Sequence, residues 1–177
     1  MAISRLLLIV LLTYVPHASA SGLSPREIAK AFYAWVIKHD GGGLPSDSAL
    51  KAAEPIISSE LRLLLRKAQM VERRCVAKAP PDMKPPIFEG SLFVDNYEGA
   101  TRVISMDLHS AEAGILVASQ LEFKDPRWQV EAITWKDQLM LVQEKGKWVV
   151  ADTNGTAKSK SLVVTLKDYL RAFSPKC

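Results

Sequence analysis

Apolar side chains recur at helical spacing across residues 24–39, where Ile28, Ala31, Phe32, Trp35 and Val36 fall on one stripe that His39 extends. Ser24 fits an N-cap, Pro25 the first helical position, and Glu27 completes a capping box. Gly41-Gly42-Gly43 ends this helix in a flexible loop. A short second helix is predicted over 46–54, stopped by Pro55. Ser58 then caps a third helix of about 18 residues, with Leu61, Leu64, Leu65, Ala68, Val71 and Cys75 as its buried stripe. Residues 79–86, Ala-Pro-Pro-Asp-Met-Lys-Pro-Pro, resist regular structure because proline fixes φ and lacks an amide donor. They read as an ordered extended crossover.

From residue 100 the period changes to two. Ile104, Met106 and Leu108 alternate with Ser105, Asp107 and His109, and a turn over 110–114 leads to a second strand at 115–123. A third strand is predicted at 128–135, with Trp128, Val130 and Ala132 opposed to Gln129, Glu131 and Ile133. A hairpin of 138–143 and 147–152 follows across Glu144-Lys145-Gly146. Asn154-Gly155 signals another turn, and Thr165 fits the cap of a last short helix carrying Leu166, Tyr169, Leu170 and Phe173. Helices followed by a run of strands argue an α+β fold: N-terminal helices packed on a curved antiparallel sheet, with a short C-terminal helix. Neither half has both sides of a core, so residues 21–177 are expected to form a single domain.

Residues 1–20 have a different character. Arg5, the apolar run Leu6–Leu12 and the small-x-small end Ala18-Ser19-Ala20 read as a cleavable secretory signal peptide. The expected location is periplasmic or secreted. The apolar run is short of the ~20 residues a membrane span requires, and no later stretch supplies one. Arg5 is the single charged residue in the segment, so 21–177 holds 22 basic against 19 acidic residues, a formal +3. That balance is too mild for a nucleic-acid binder, and none is expected. The densest basic cluster, Arg62, Arg66, Lys67, Arg73 and Arg74, lies on the third helix, where a solvated face is the simplest reading. Export favours disulfides. Cys75 and Cys177 permit one bridge, while the place of Cys75 on an apolar stripe equally fits a buried free thiol.

Three segments carry a family resemblance: Phe32-Tyr33-Ala34-Trp35, Ile57-Ser58-Ser59-Glu60-Leu61 and Gly146-Lys147-Trp148-Val149-Val150-Ala151-Asp152. Over residues 24–153 the chain resembles the cystatin-like α+β cone of the nuclear-transport-factor superfamily. Within it, the chain is similar to small secreted or envelope-anchored bacterial domains of unknown function. The resemblance implies a cone with an internal pocket, in a group that includes isomerases, dehydratases and non-enzymatic binding modules. It also implies that sheets can pair into a homodimer. Some small exported proteins of this sort act as immunity factors against wall-degrading effectors.

Candidate chemistry is sparse. Residues 21–177 contain two histidines, His39 and His109. His109 and Asp107 sit two apart on one strand face, the spacing of a metal or acid–base pair and equally of a polar outer face. His39-Asp40 falls at a helix end, where the helix dipole favours a cation. There is no Gly-x-Ser-x-Gly elbow and no phosphate loop. An isomerase-like pocket needs a carboxylate and hydrogen-bond donors, and Tyr97, Asp107, His109 and Asp137 are its candidates. No catalytic residue, metal or cofactor is assigned. The expected function is an exported non-enzymatic binding protein with a protein partner, of which an immunity or inhibitor protein is a special case. The alternative is a small isomerase- or hydrolase-like enzyme with its pocket inside the cone.

Overall fold

In the computed structural model, which describes residues 22–39, 41–125, 127, 131–155 and 160–177, the capping box at the first helix is formed. The Glu27 carboxylate accepts from the Ser24 backbone N–H and hydroxyl, both at 2.7 Å. These bonds hold the Glu27 carboxyl below its usual pKa, the Ser24 hydroxyl contributing most. Helix α1 runs Pro25–His39, α2 Asp47–Ala53 and α3 Ser59–Lys78. Ser46 and Ser58 cap α2 and α3 by accepting from the N–H groups of Ala49 and Leu61. Residues 1–20 (the expected signal peptide), Asp40 and residues 128–130 of the expected third strand lie outside the described residues.

Strands β1 (Arg102–Ala111), β2 (Gly114–Phe123), β3 (Ile133–Glu144) and β4 (Lys147–Gly155) form an open antiparallel meander in the order β1-β2-β3-β4. Helix α4 (Leu162–Phe173) closes the chain. The fold is α+β, as the pattern predicts, but several boundaries differ. The separate strands expected at 128–135 and 138–143 are replaced by the single strand β3, whose inward row Trp135, Asp137, Leu139, Leu141 runs unbroken. Asn154-Gly155 is not a turn: it extends β4 opposite Gln138 and Asp137. Ser161, not Thr165, caps α4, and Asp152 also accepts from the Val163 N–H at 2.9 Å. A bulge between Val103 and Ser105 turns Ile104 out to 43% exposure and puts Val103 against the core instead. The two-residue β3–β4 turn works because Lys145 (φ 51°) and Gly146 (φ 76°) both take positive φ.

Helix α1 buries Ile28, Phe32, Tyr33 and Val36 on the inner face of the sheet, with Phe93 edge-on to Trp35 at 4.8 Å. The Trp35 Nε1–H donates to the Ala49 carbonyl, fixing α2 against α1. Helices α3 and α4 pack together and both reach β4. Cys75 of α3 and Cys177 are joined by a disulfide with Cα atoms 4.8 Å apart, and Lys78 donates to the Cys177 carbonyl. The Pro-rich crossover is tied down from both sides: Tyr169 donates to the Pro86 carbonyl, and the Phe88 N–H donates to Glu72.

Candidate functional site

The four residues expected to line a pocket do not meet in one. Tyr97 is 66% exposed on a loop, its ring packed over Gly90 so closely that a Cβ there would lie 2.3 Å from it. Asp107 and His109 share the solvent-facing side of β1. Asp107 borders a shallow concavity of about 300 Å³ with Ser105, Gln120, Lys136 and Gln138 on the outer face of the sheet, and Asp137 and Ser119 also line it although their residues are buried. Asp137 alone points inward, at 1% exposure. Among the described residues, no three His, Cys, Asp or Glu side chains cluster as a metal site would require.

Asp137 belongs to a polar group inside the core. It pairs across the ladder with Ser119, itself 2% exposed, and its Oδ2 accepts from the Asp95 N–H at 3.2 Å. Tyr33 of α1 reaches this row from the helix side. Burial pushes the Tyr33 phenol well above its ordinary value; the Ser119 hydroxyl tempers the rise and the Asp137 charge adds to it. The two hydroxyls are close enough to interact, yet neither Tyr33 OH nor Ser119 Oγ has a well-formed hydrogen bond. Trp135 Nε1, two residues along the same strand face, is also buried without one. The sequence held a signal for this group: Ser119 and Asp137 are polar residues at inward, otherwise apolar register positions. The split of β3 into two expected strands hid the second of them.

A different surface combines charge with exposed apolar area. On α3, Leu63, Lys67, Met70 and Arg74 follow a spacing of four, three and four, which sets them in one seam. Leu63 is 52% and Met70 56% exposed, unusual for large apolar side chains in a helix that is otherwise packed. On one side of the seam a cavity of about 570 Å³ lies between α3 and α4, lined by Lys67, Met70, Val71, Arg74, Leu170, Arg171 and Ser174. On the other, a groove of about 400 Å³ runs between α2 and α3. The neighbouring cations are engaged: Arg66 with Glu54, Arg73 with Asp47 at 2.6 Å, and Arg171 with Asp168 at 3.1 Å. Lys67 and Arg74 make no ion pair among the described residues. The basic cluster is legible in the sequence. The cavity is not, because α4 supplies its second wall.

No helix among the described residues is long and apolar enough to cross a membrane. The chain matches no family model and no curated protein.

Proposed function

We propose that this chain is an exported, non-enzymatic binding protein that receives an acidic protein partner on the exposed seam of α3. One observation carries the reading: Lys67 and Arg74, without ion pairs, flank the exposed Met70 above an apolar-floored cavity between α3 and α4. Solvent-facing helices ordinarily show charge without large apolar side chains, and apolar area rimmed by charge is the usual composition of a docking surface. The four candidates do not converge: Asp107 and Asp137 line one shallow concavity, but Asp137 is buried and Tyr97 lies on an exposed loop, which supports binding over catalysis. The export segment and the resemblance to small exported bacterial domains support a partner met outside the cytoplasm. An inhibitor or immunity protein is the case in which that partner is an enzyme.

The test is affinity capture of the tagged chain from its native cell envelope, beside a Lys67→Glu/Arg74→Glu variant. A stoichiometric acidic partner held by the wild type and released by the variant supports the reading. Capture that the double charge reversal leaves unchanged overturns the assignment to α3. N-terminal mass analysis of the recovered protein checks export, with processing after Ala20 expected.

A second reading, a small enzyme, rests on the buried Asp137 beside Tyr33 and Ser119. It requires turnover of a small substrate that Asp137→Asn abolishes while the fold is retained. Full activity in that variant removes Asp137 from the chemistry.

A further inference from the structure

Among the described residues strand β1 ends the sheet, with β2 as its ladder neighbour. The two-residue turn at 112–113 makes Ala111–Gly114 a hydrogen-bonded pair. Alternation then directs the backbone groups of Asp107 and His109 toward β2 and those of Met106, Leu108 and Ser110 outward. Helix α1 gives independent support for this parity, because Arg26 donates to the Met106 carbonyl at 3.1 Å from outside the ladder. Protected edges usually carry Lys or Pro. Residues 103–111, Val-Ile-Ser-Met-Asp-Leu-His-Ser-Ala, contain neither, and no Arg.

We propose that two copies of this chain pair antiparallel through β1, about a two-fold axis at Leu108. The register is fixed by self-complementarity. With Leu108 opposite Leu108 of the second copy, Asp107 stands across from the second copy's His109, and the arrangement repeats by symmetry. Both side chains are exposed on the same outer face, and neither makes an ion pair within its own copy among the described residues. The outward backbone groups then match as Met106 with Ser110, Leu108 with Leu108, and Ser110 with Met106. The Met106 carbonyl has a second lone pair beside the one Arg26 uses.

The same register decides what lies beyond the ladder. The second copy's turn Ala111-Glu112-Ala113 comes opposite 103–105, beside a groove of about 380 Å³ between α1 and β1. Arg26 and Lys30 rim that groove, and Ile37 and Ile104 floor it, 38% and 43% exposed. The turn brings an acid for the cations and two methyl groups for the isoleucines. Glu112 and Lys30 have no ion-pair partner within one copy among the described residues. The bulge at Ile104 ends the ladder where this groove begins. Helices α3 and α4 contact β4, at the far end of the sheet, so pairing through β1 leaves the α3 seam of both copies open.

The test is sedimentation velocity on the whole folded chain up to about 100 μM, with circular dichroism as a check of folding. The wild type is expected to form a dimer. Asp107→Lys or His109→Glu alone sets like or mismatched charges across the axis and is expected to weaken it on the order of tenfold or more. The swap Asp107→Lys/His109→Glu recreates opposite charges in this register alone and is expected to restore the dimer. A wild type that stays monomeric overturns the pairing. A dimer indifferent to Asp107→Lys, or a swap that restores nothing, overturns the interface.

Discussion

The sheet ends in two different ways. At β4 it is walled in: Ser58 N–H donates to the Val150 carbonyl and Val150 N–H to Ile56, so residue Ile57 lies alongside β4 as a short parallel bridge. Helices α3 and α4 cover that end, and the Cys75–Cys177 disulfide closes them together. At β1 the ladder stops among the described residues, with mostly exposed positions and the guanidinium of Arg26 donating to it from outside. Burial falls along the same direction, from the fully buried Leu139 and Val150 to a β1 without a single buried residue. Stability is therefore concentrated at the β4 end and in the α1 layer. The outward edge of β1 and the outer seam of α3 hold no buried side chain of the core, which leaves them available for other molecules.

Four perturbations break or sharpen this contrast, beginning with the core. Phe32→Ala, at a side chain with no exposure between α1 and the sheet, is expected to cost about 3–5 kcal/mol, measured by urea unfolding. Replacing both Cys75 and Cys177 by Ala removes a link between residues 102 apart in sequence and is expected to cost about 2–4 kcal/mol in the same measurement. The Glu144 carboxylate accepts from both the N–H (3.0 Å) and the hydroxyl (2.7 Å) of Ser59 at the start of α3. Glu144→Ala is expected to cost about 1 kcal/mol. At the open end, Arg102→Ala breaks an exposed ion pair to Glu122 at 2.9 Å and is expected to change stability by at most about 0.5 kcal/mol. An Arg102 effect as large as that of the disulfide would erase the contrast.

A pH titration addresses the α1 layer separately. The unfolded Tyr33 phenol ionises at its ordinary 10.0, whereas burial raises the folded value well above that. Its contribution to stability is therefore complete below pH 10 and lost as the pH climbs through and beyond that value. Tyr169 is pushed up to about 12, also mainly by burial, and adds in the same direction. Tyr33→Phe is expected to delay alkaline unfolding while changing stability near neutrality by less than about 1 kcal/mol, because its hydroxyl lacks a well-formed hydrogen bond. Unchanged alkaline unfolding in that variant would mean that Tyr33 is hydrated in the folded protein.

By itself the sequence determined the elements whose causes are local. The capping box at Ser24, the Ser58 cap and the Phe32/Trp35/Val36 stripe follow from side chains within a few residues of one another, and so do the period-two runs of the meander. That is sufficient for the α+β class and the order of elements. What depends on residues far apart in the chain was decided by packing. One continuous β3 exists because β2 offers partners from Phe123↔Ile133 to Ile115↔Leu141, and β4 carries the strand on to Glu144↔Lys147. Asp152 is placed to reinforce the Ser161 cap only once β4 delivers it to α4. Asp137 is inward because its partner Ser119 is inward, and α1 then brings Tyr33 onto both. The cavity beside Lys67 and Arg74 needs α4 as its second wall. A local pattern specifies which face of an element is apolar. Only the assembled chain specifies what that face meets and which surfaces are left over.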